Sequence, residues 1–169
     1  MKKIIKITEH VCEGIICLGI VCLLAIYLLD FVGIRTFIVR SGSMEPAIWT
    51  GSLCFVDTRI EYDDIQVNDI VAFQRGNLLV THRVIKISEE GFVTKGDNND
   101  VIDGTITTKD NFIGKNFFSV RWMGYIVGWL QTKQGKMTAF AYVASFVIVQ
   151  GILSCLKEKD KINAINTKK

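Results

Sequence analysis

Asp69-Ile70-Val71-Ala72-Phe73 and Leu78-Leu79-Val80-Thr81-His82-Arg83-Val84-Ile85-Lys86-Ile87, with Gly76-Asn77 between them, decide how this chain folds. Both runs are rich in β-branched and aromatic residues, and Gly-Asn is turn chemistry, so the pair predicts a β-hairpin. In the second run a period of two places Val80, His82 and Val84 on one face and Thr81, Arg83 and Ile85 on the other. Working outward, Phe37-Ile38-Val39, Ser52-Leu53-Cys54-Phe55-Val56, Gly91-Phe92-Val93-Thr94-Lys95 and Phe117-Phe118-Ser119-Val120 are further short strands divided by turn residues. No strong amphipathic helix interrupts them, and residues 35–130 are expected to form an all-β domain with irregular connections.

The flanks have a different character. Val11 to Leu29 is almost wholly apolar, with Glu13 near its start, and Met137 to Leu156 has no charge. Twenty helical residues rise roughly 30 Å, the hydrocarbon thickness of a bilayer. Both segments are therefore expected to be transmembrane helices. The first resembles a signal peptide in its Lys2, Lys3 and Lys6 lead, but Leu29-Asp30-Phe31-Val32-Gly33-Ile34 lacks an Ala-x-Ala-like site and the run is long for one. The expected organisation is 1–34 as cytoplasmic tail and anchor, 35–130 as extracytoplasmic domain, and 131–169 as second helix and basic cytoplasmic tail.

Lysine placement sets the expected orientation. Lys2, Lys3, Lys6, Lys157, Lys159, Lys161, Lys168 and Lys169 lie on the tail sides of the two helices, against Lys133 and Lys136 on the other side. The positive-inside rule then puts both termini in the cytoplasm. Trp122, Tyr125 and Trp129 are placed as interfacial aromatics or as ordinary core, and Ile48-Trp49 admits the same two readings. The net charge of +3 belongs to the tails, because residues 35–130 hold 10 Lys/Arg against 12 Asp/Glu. That is no nucleic-acid footprint. Of five cysteines, Cys12, Cys17, Cys22 and Cys155 lie in or beside the helices and Cys54 alone is in the outer domain. They read as small apolar residues, with no zinc spacing and no disulfide within that domain.

Chemistry narrows to few residues. The chain has two histidines. His10 lies at the cytoplasmic mouth of the first helix, so a histidine base outside the membrane must be His82. A serine hydroxyl needs such a base near pH 7. In Ser41-Gly42-Ser43-Met44-Glu45-Pro46 the only proline of the chain fixes its own φ and biases Glu45 to extended backbone. Ser43 is thereby presented on a defined turn. An imidazole base also needs a carboxylate on its far nitrogen, and Asp97, Asp100 and Asp103 are candidates. Lys95-Gly96-Asp97-Asn98-Asn99-Asp100-Val101-Ile102-Asp103-Gly104 misses the EF-hand pattern, so no calcium, and no other cofactor, is expected.

Taken together, the anchor, Ser41 to Pro46, Asn68 to Phe73, Thr81-His82-Arg83-Val84, Lys95 to Asn99 and Ile113-Gly114-Lys115 resemble signal peptidase I of the endoplasmic-reticulum and archaeal type, which also occurs in Gram-positive spore-forming bacteria. The resemblance implies Ser43 as nucleophile, and Ser41 with the Ser43 backbone N–H as oxyanion donors. It implies His82 as base where the common bacterial branch has lysine, and Asp103 as acid, with Asp97 as supporting or alternative acid. The chain departs from the pattern at Asp100-Val101-Ile102-Asp103, where paired aspartates are common. The implied substrates are exported pre-proteins cut after small residues at −3 and −1. The implied partners are their signal peptides, the lipid bilayer and the secretion translocon. A catalytically inactive relative, binding signal peptides or scaffolding a secretion complex, is the rival expectation; a self-cleaving repressor-type protease lacks support because its lysine base is missing.

Overall fold

The structure, a computed structural model, describes residues 13–21 and 28–166. Lys2, Lys3, Lys6, His10, Cys12, Cys22, Lys168, Lys169 and part of the first apolar segment lie outside the described residues. The chain divides into two compact units, Met1–Tyr125 and Ile126–Lys169.

The first unit is built on one six-stranded antiparallel sheet. Its strands are β1 (Ile34–Ile38), β2 (Leu53–Asp57), β3 (Ile70–Arg75), β4 (Leu78–Ser88), β5 (Gly91–Lys95) and β6 (Phe112–Val120). Their order is β1-β2-β6-β3-β4-β5. The expected hairpin is present, with Phe73 opposite Val80 and Arg75 opposite Leu78 across Gly76-Asn77. Gly76 has φ 58 while Asn77 is absent from the positive-φ residues, the pattern of a type II′ turn, which favours glycine at its first position. The alternation in β4 is also as expected, with His82 and Val84 buried and Thr81 and Arg83 only partly so.

Two packed clusters hold the sheet. Ile65, Val71, Phe73, Val84 and Phe92 form the larger, with Ile60, Tyr62, Val80 and Phe112 against them. Tyr62 stacks on Phe92 with centroids 4.1 Å apart, and its hydroxyl donates to the Thr107 carbonyl at 3.0 Å. Met44, Ile48 and Cys54 form the smaller cluster, with Val39 and Ile70. Burying side chains of this size contributes roughly 1.5–3 kcal/mol each, so the loop after Ser43 is fastened by Met44 and Ile48 as part of the core. Ile48 is thus a core residue, whereas its neighbour Trp49 is 37% exposed. Cys54 is fully buried and unpaired, and burial pushes its thiol up to about 11, which keeps it protonated at neutral pH.

Three elements differ from the sequence expectation. β1 runs Ile34–Ile38 instead of Phe37–Val39, and β6 begins at Phe112, five residues before Phe117. Gly114 hid the front half of β6, yet it is there for packing: a Cβ would collide with the Asp57 carbonyl on β2. The third is a helix, Met123–Gln131, in a region expected to be free of helices. Gly124 at its start lies against the carbonyls of Gly51 and Ser52, and its N–H donates to Gly51 at 3.0 Å. Tyr125 in turn covers Gly51, whose φ of 78 suits glycine.

Residues 13–21 and 28–31 are helical. The second of these stretches closes at Gly33, whose φ of 77 is that of a helix-terminating glycine, and β1 starts at the next residue. The second unit carries the helix Lys133–Asn166. Among the described residues, Lys133–Ile152 is the one helical stretch long and apolar enough to cross a membrane.

Candidate active site

Ser43 lies in the loop between β1 and β2, and that loop is fixed from both ends. The Glu45 carboxylate accepts the Thr50 N–H at 3.0 Å and the Thr50 hydroxyl at 2.8 Å. These two bonds, the backbone one first, hold the Glu45 carboxyl below the usual carboxylate range. The Glu45 N–H donates to the Gly42 carbonyl at 3.1 Å and the Ile48 N–H to Met44 at 2.8 Å. With Met44 and Ile48 anchored in the core, Ser43 just before Met44 is left half-buried with its hydroxyl available.

β4 brings His82 to that hydroxyl. Its Nε2 lies 3.1 Å from Ser43 Oγ, and its Nδ1 lies 2.6 Å from Asp103 Oδ2. The His82 and Asp103 side chains are 5% and 6% exposed, so this couple is shielded from water. Phe73 meets the imidazole edge-on at 6.3 Å between centroids. With Asp103 accepting from Nδ1–H, Nε2 carries the lone pair and can take the Ser43 proton. Ser41 Oγ sits 3.3 Å from Ser43 Oγ on the exposed side of the loop.

The acidic loop is divided between two partners. Asp103 is drawn to His82, and its N–H donates to the Thr94 carbonyl at 2.9 Å. Asp97 faces Arg83 instead, in a two-pronged pair with Nε to Oδ1 at 2.8 Å and Nη2 to Oδ2 at 2.6 Å. Arg83 Nη1 also donates to the Asn68 carbonyl at 2.8 Å. Successive residues of Thr81-His82-Arg83-Val84 thus serve opposite faces of β4: His82 meets the serine, while Arg83 docks the acidic loop. Asp100 is exposed.

Sequence reasoning passed over three neighbours. Thr94 is fully buried and donates its hydroxyl to Asp103 Oδ2 at 2.7 Å, sharing that oxygen with His82. Arg75 Nη1 lies 3.6 Å from the other carboxylate oxygen. Both read as ordinary strand residues, and only the register of β3, β4 and β5 brings them to Asp103. Gly96 is the third. Its backbone passes so close to Ser43 that a Cβ would sit 2.5 Å from the Ser43 carbonyl oxygen, which accepts the Asn98 N–H at 2.8 Å. Gly96→Ala is expected to lower stability by about 1–3 kcal/mol through overpacking, and to cut catalysis by on the order of a hundredfold because it displaces the serine. Thermal unfolding and turnover measured on the same preparation check this; wild-type values in both would contradict it.

A serine hydroxyl, an imidazole and a shielded carboxylate in hydrogen-bonded order define a site of the serine-hydrolase class, carried here on an antiparallel sheet. Comparison with known proteins narrows the class. No protein-family model matches the chain. Signal peptidase I W of Bacillus subtilis is 41% identical over 78 residues, which are 43% of this chain and 41% of that protein. The signal peptidase complex catalytic subunit SEC11C of Rattus norvegicus is 35% identical over 132 residues, 72% of this chain and 67% of the relative. The subunit SEC11 of Colletotrichum graminicola is 33% identical over 125 residues, 66% of this chain and 73% of the relative. The chain belongs to the signal peptidase I family and is a serine endopeptidase of signal-peptide removal. Named catalytic subunits among its relatives speak against an inactive scaffold.

Proposed function

We propose that Ser43, His82 and Asp103 carry the peptidase activity as nucleophile, base and acid, with the Ser41 side chain and the Ser43 backbone N–H as oxyanion donors. The observation that supports this most is the unbroken line from Asp103 Oδ2 through the imidazole to Ser43 Oγ. Ser43 Oγ attacks the scissile carbonyl carbon as its proton passes to His82 Nε2. The oxyanion donors hold the new negative charge, each worth roughly 3–4 kcal/mol in serine proteases of other folds. The C–N bond then breaks, and the imidazolium gives its proton to the departing amine, the new N-terminus of the mature protein. Water attacks the acyl-enzyme with His82 again as base, releasing the signal peptide and returning the proton to Ser43. Asp97 acts as a supporting residue through Arg83.

The substrates we assign are exported pre-proteins with small residues at −3 and −1, presented at a membrane surface beside the translocon. The test is incubation of the full chain, reconstituted in lipid vesicles, with a purified pre-protein. The expected product begins directly after the small −1 residue, and a pre-protein left intact overturns the assignment.

The membrane arrangement belongs to the same proposal. Residues 1–34 hold a cytoplasmic tail and first helix, 35–130 the extracytoplasmic catalytic domain, and 131–169 the second helix and a basic cytoplasmic tail. Trp122, Tyr125 and Trp129, 64%, 59% and 53% exposed, fit aromatic contacts at a membrane interface better than core packing. Trp49 is linked to Trp122 through Arg121, whose guanidinium lies 4.0 Å from the Trp49 ring centroid and 5.1 Å from that of Trp122. Reporter fusions check the topology: one at residue 60 should report outside the cytoplasm and one at residue 169 inside it. A cytoplasmic signal from the first would reverse the orientation.

A further inference from the structure

Trp122 stands in a backbone conformation that its own side chain disfavours. Its φ is 65, in the left-handed region where a bulky residue is an outlier and glycine or asparagine is the ordinary occupant. The conformation turns the chain out of β6 and into the helix Met123–Gln131, and the Trp122 carbonyl accepts the Tyr125 N–H at 3.1 Å. Glycine would make that turn without steric cost. What tryptophan adds is an exposed indole, and the Arg121 guanidinium lies over that ring and over Trp49.

Stacking on an aromatic face leaves the N–H donors of a guanidinium free at its edge, because they lie in the plane of the group. Among the described residues no carboxylate lies in ion-pair range of Arg121. Glu45 is held low first by its bonds from Thr50 and to a lesser degree by the Arg121 charge. The two segments that carry the rings are firmly joined. The Gly124 N–H donates to the Gly51 carbonyl, Tyr125 covers Gly51, and the Ser52 N–H donates to the Trp49 carbonyl at 3.0 Å. Trp49 in turn follows Ile48, a core residue of the Ser43 loop. An exposed cation without an ion-pair partner is thus built against two rings, one of which belongs to the loop of the serine.

We propose that Arg121, held against Trp49 and Trp122, binds the phosphate of an anionic phospholipid headgroup and seats the Ser43 loop on the membrane surface. The proposal rests on the membrane arrangement given above. Two observations favour a lipid as the occupant. Trp49, Trp122 and Tyr125 are all exposed, and such rings settle at headgroup depth. The helical stretch Lys133–Ile152, long and apolar enough to cross a membrane, begins eleven residues after Trp122 in the chain. Charge then selects the headgroup. A guanidinium meets phosphate with two parallel N–H···O bonds, and an anionic lipid brings no ammonium to oppose it. Residues 35–130 hold 10 Lys/Arg against 12 Asp/Glu, so the preference comes from the local cation and not from the charge of the whole domain.

The experiment reads which lipid sits beside the two rings. The full chain carries Trp129→Phe, so that Trp49 and Trp122 are the tryptophans left. It is reconstituted into vesicles of phosphatidylcholine and phosphatidylglycerol in equal parts. Bromine, which quenches tryptophan fluorescence, is placed on the acyl chains of one lipid or of the other. Brominated phosphatidylglycerol should quench roughly threefold to fivefold more than brominated phosphatidylcholine, the enrichment that one basic side chain gives at an anionic surface. Arg121→Gln should make the two equal. Arg121→Lys should keep only part of the difference, because an ammonium neither stacks nor forks. Trp122→Gly should unfold close to the temperature of the parent chain, since glycine suits that backbone, and yet lose most of the difference.

Equal quenching by both lipids in the Trp129→Phe chain overturns the proposal. So does a difference that survives Arg121→Gln, or one that Lys133→Gln removes as fully. Quenching by neither lipid overturns it in favour of a surface covered by protein. Loss of the difference in inorganic phosphate, but not in chloride of equal ionic strength, overturns it in favour of a free anion. The orientation fails separately: a cytoplasmic signal from the reporter at residue 60 reverses the topology whatever the quenching shows.

Discussion

Ser43→Ala should abolish pre-protein cleavage while leaving the protein folded and inserted. The substitution removes one oxygen from a half-buried side chain. It leaves untouched the contacts that hold the loop: the Met44 and Ile48 anchors, the Glu45–Thr50 bonds, and the Asn98 N–H donating to the Ser43 carbonyl. The cost to stability is therefore expected within about 1 kcal/mol. Catalysis should fall by on the order of 10⁴-fold or more, because oxyanion donors and binding alone retain only a small part of a triad's acceleration. Processing of a labelled pre-protein by vesicle-reconstituted enzyme, alongside thermal unfolding, separates the two effects. Cleavage at anything near the wild-type rate would remove Ser43 from its role.

The second large effect distinguishes the two aspartates. Asp103→Ala takes the acceptor from His82 Nδ1, frees the tautomer, and leaves Thr94 and Arg75 facing an empty corner. Activity should drop by about 10³–10⁴-fold, the scale on which loss of the orienting carboxylate acts in triad proteases. Asp97→Ala breaks a different object. It releases a two-pronged bond to Arg83, a side chain 29% exposed, and loosens the loop whose Gly96 and Asn98 lie against Ser43. Its loss should be smaller in rate and larger in stability, about 1–3 kcal/mol for a charge-assisted bond that is only partly shielded. Equal, mild losses in both variants would dissolve the triad and leave a Ser-His pair.

The aspartates also show where sequence information stopped. The β3–β4 hairpin was readable because a turn glycine and strict alternation point to one register, and that register puts His82 and Val84 inward. The serine was readable from the rigid Gly-Ser-Met-Glu-Pro turn. Family resemblance singled out Asp103, but the residues themselves left three carboxylates within seven positions. The carboxylate that meets His82 is that of Asp103, because β5 carries Thr94 beside Val84 and the Asp103 N–H donates to the Thr94 carbonyl. Thr94 and Arg75 left no trace in the sequence because polar residues in strands are common and their partners lie on other strands. The helix Met123–Gln131 was hidden for a related reason. Gly124 weakens its helix signal and is required by close approach to Gly51 and Ser52.

Gly33 has one more consequence. Its carbonyl accepts both the N–H and the hydroxyl of Thr58, each at 2.9 Å, and β1 starts at the next residue. The sheet is joined to the preceding helical turn without slack. Ser43 follows nine residues after Ile34, a reach of at most roughly 30 Å for extended chain. On the proposed arrangement, with the preceding segment in the bilayer and Ser43 as nucleophile, such a joint acts as a depth gauge. It limits how far the serine stands from the surface, so enzyme and substrate meet by searching a shallow layer, at an effective concentration that a long flexible linker would dilute.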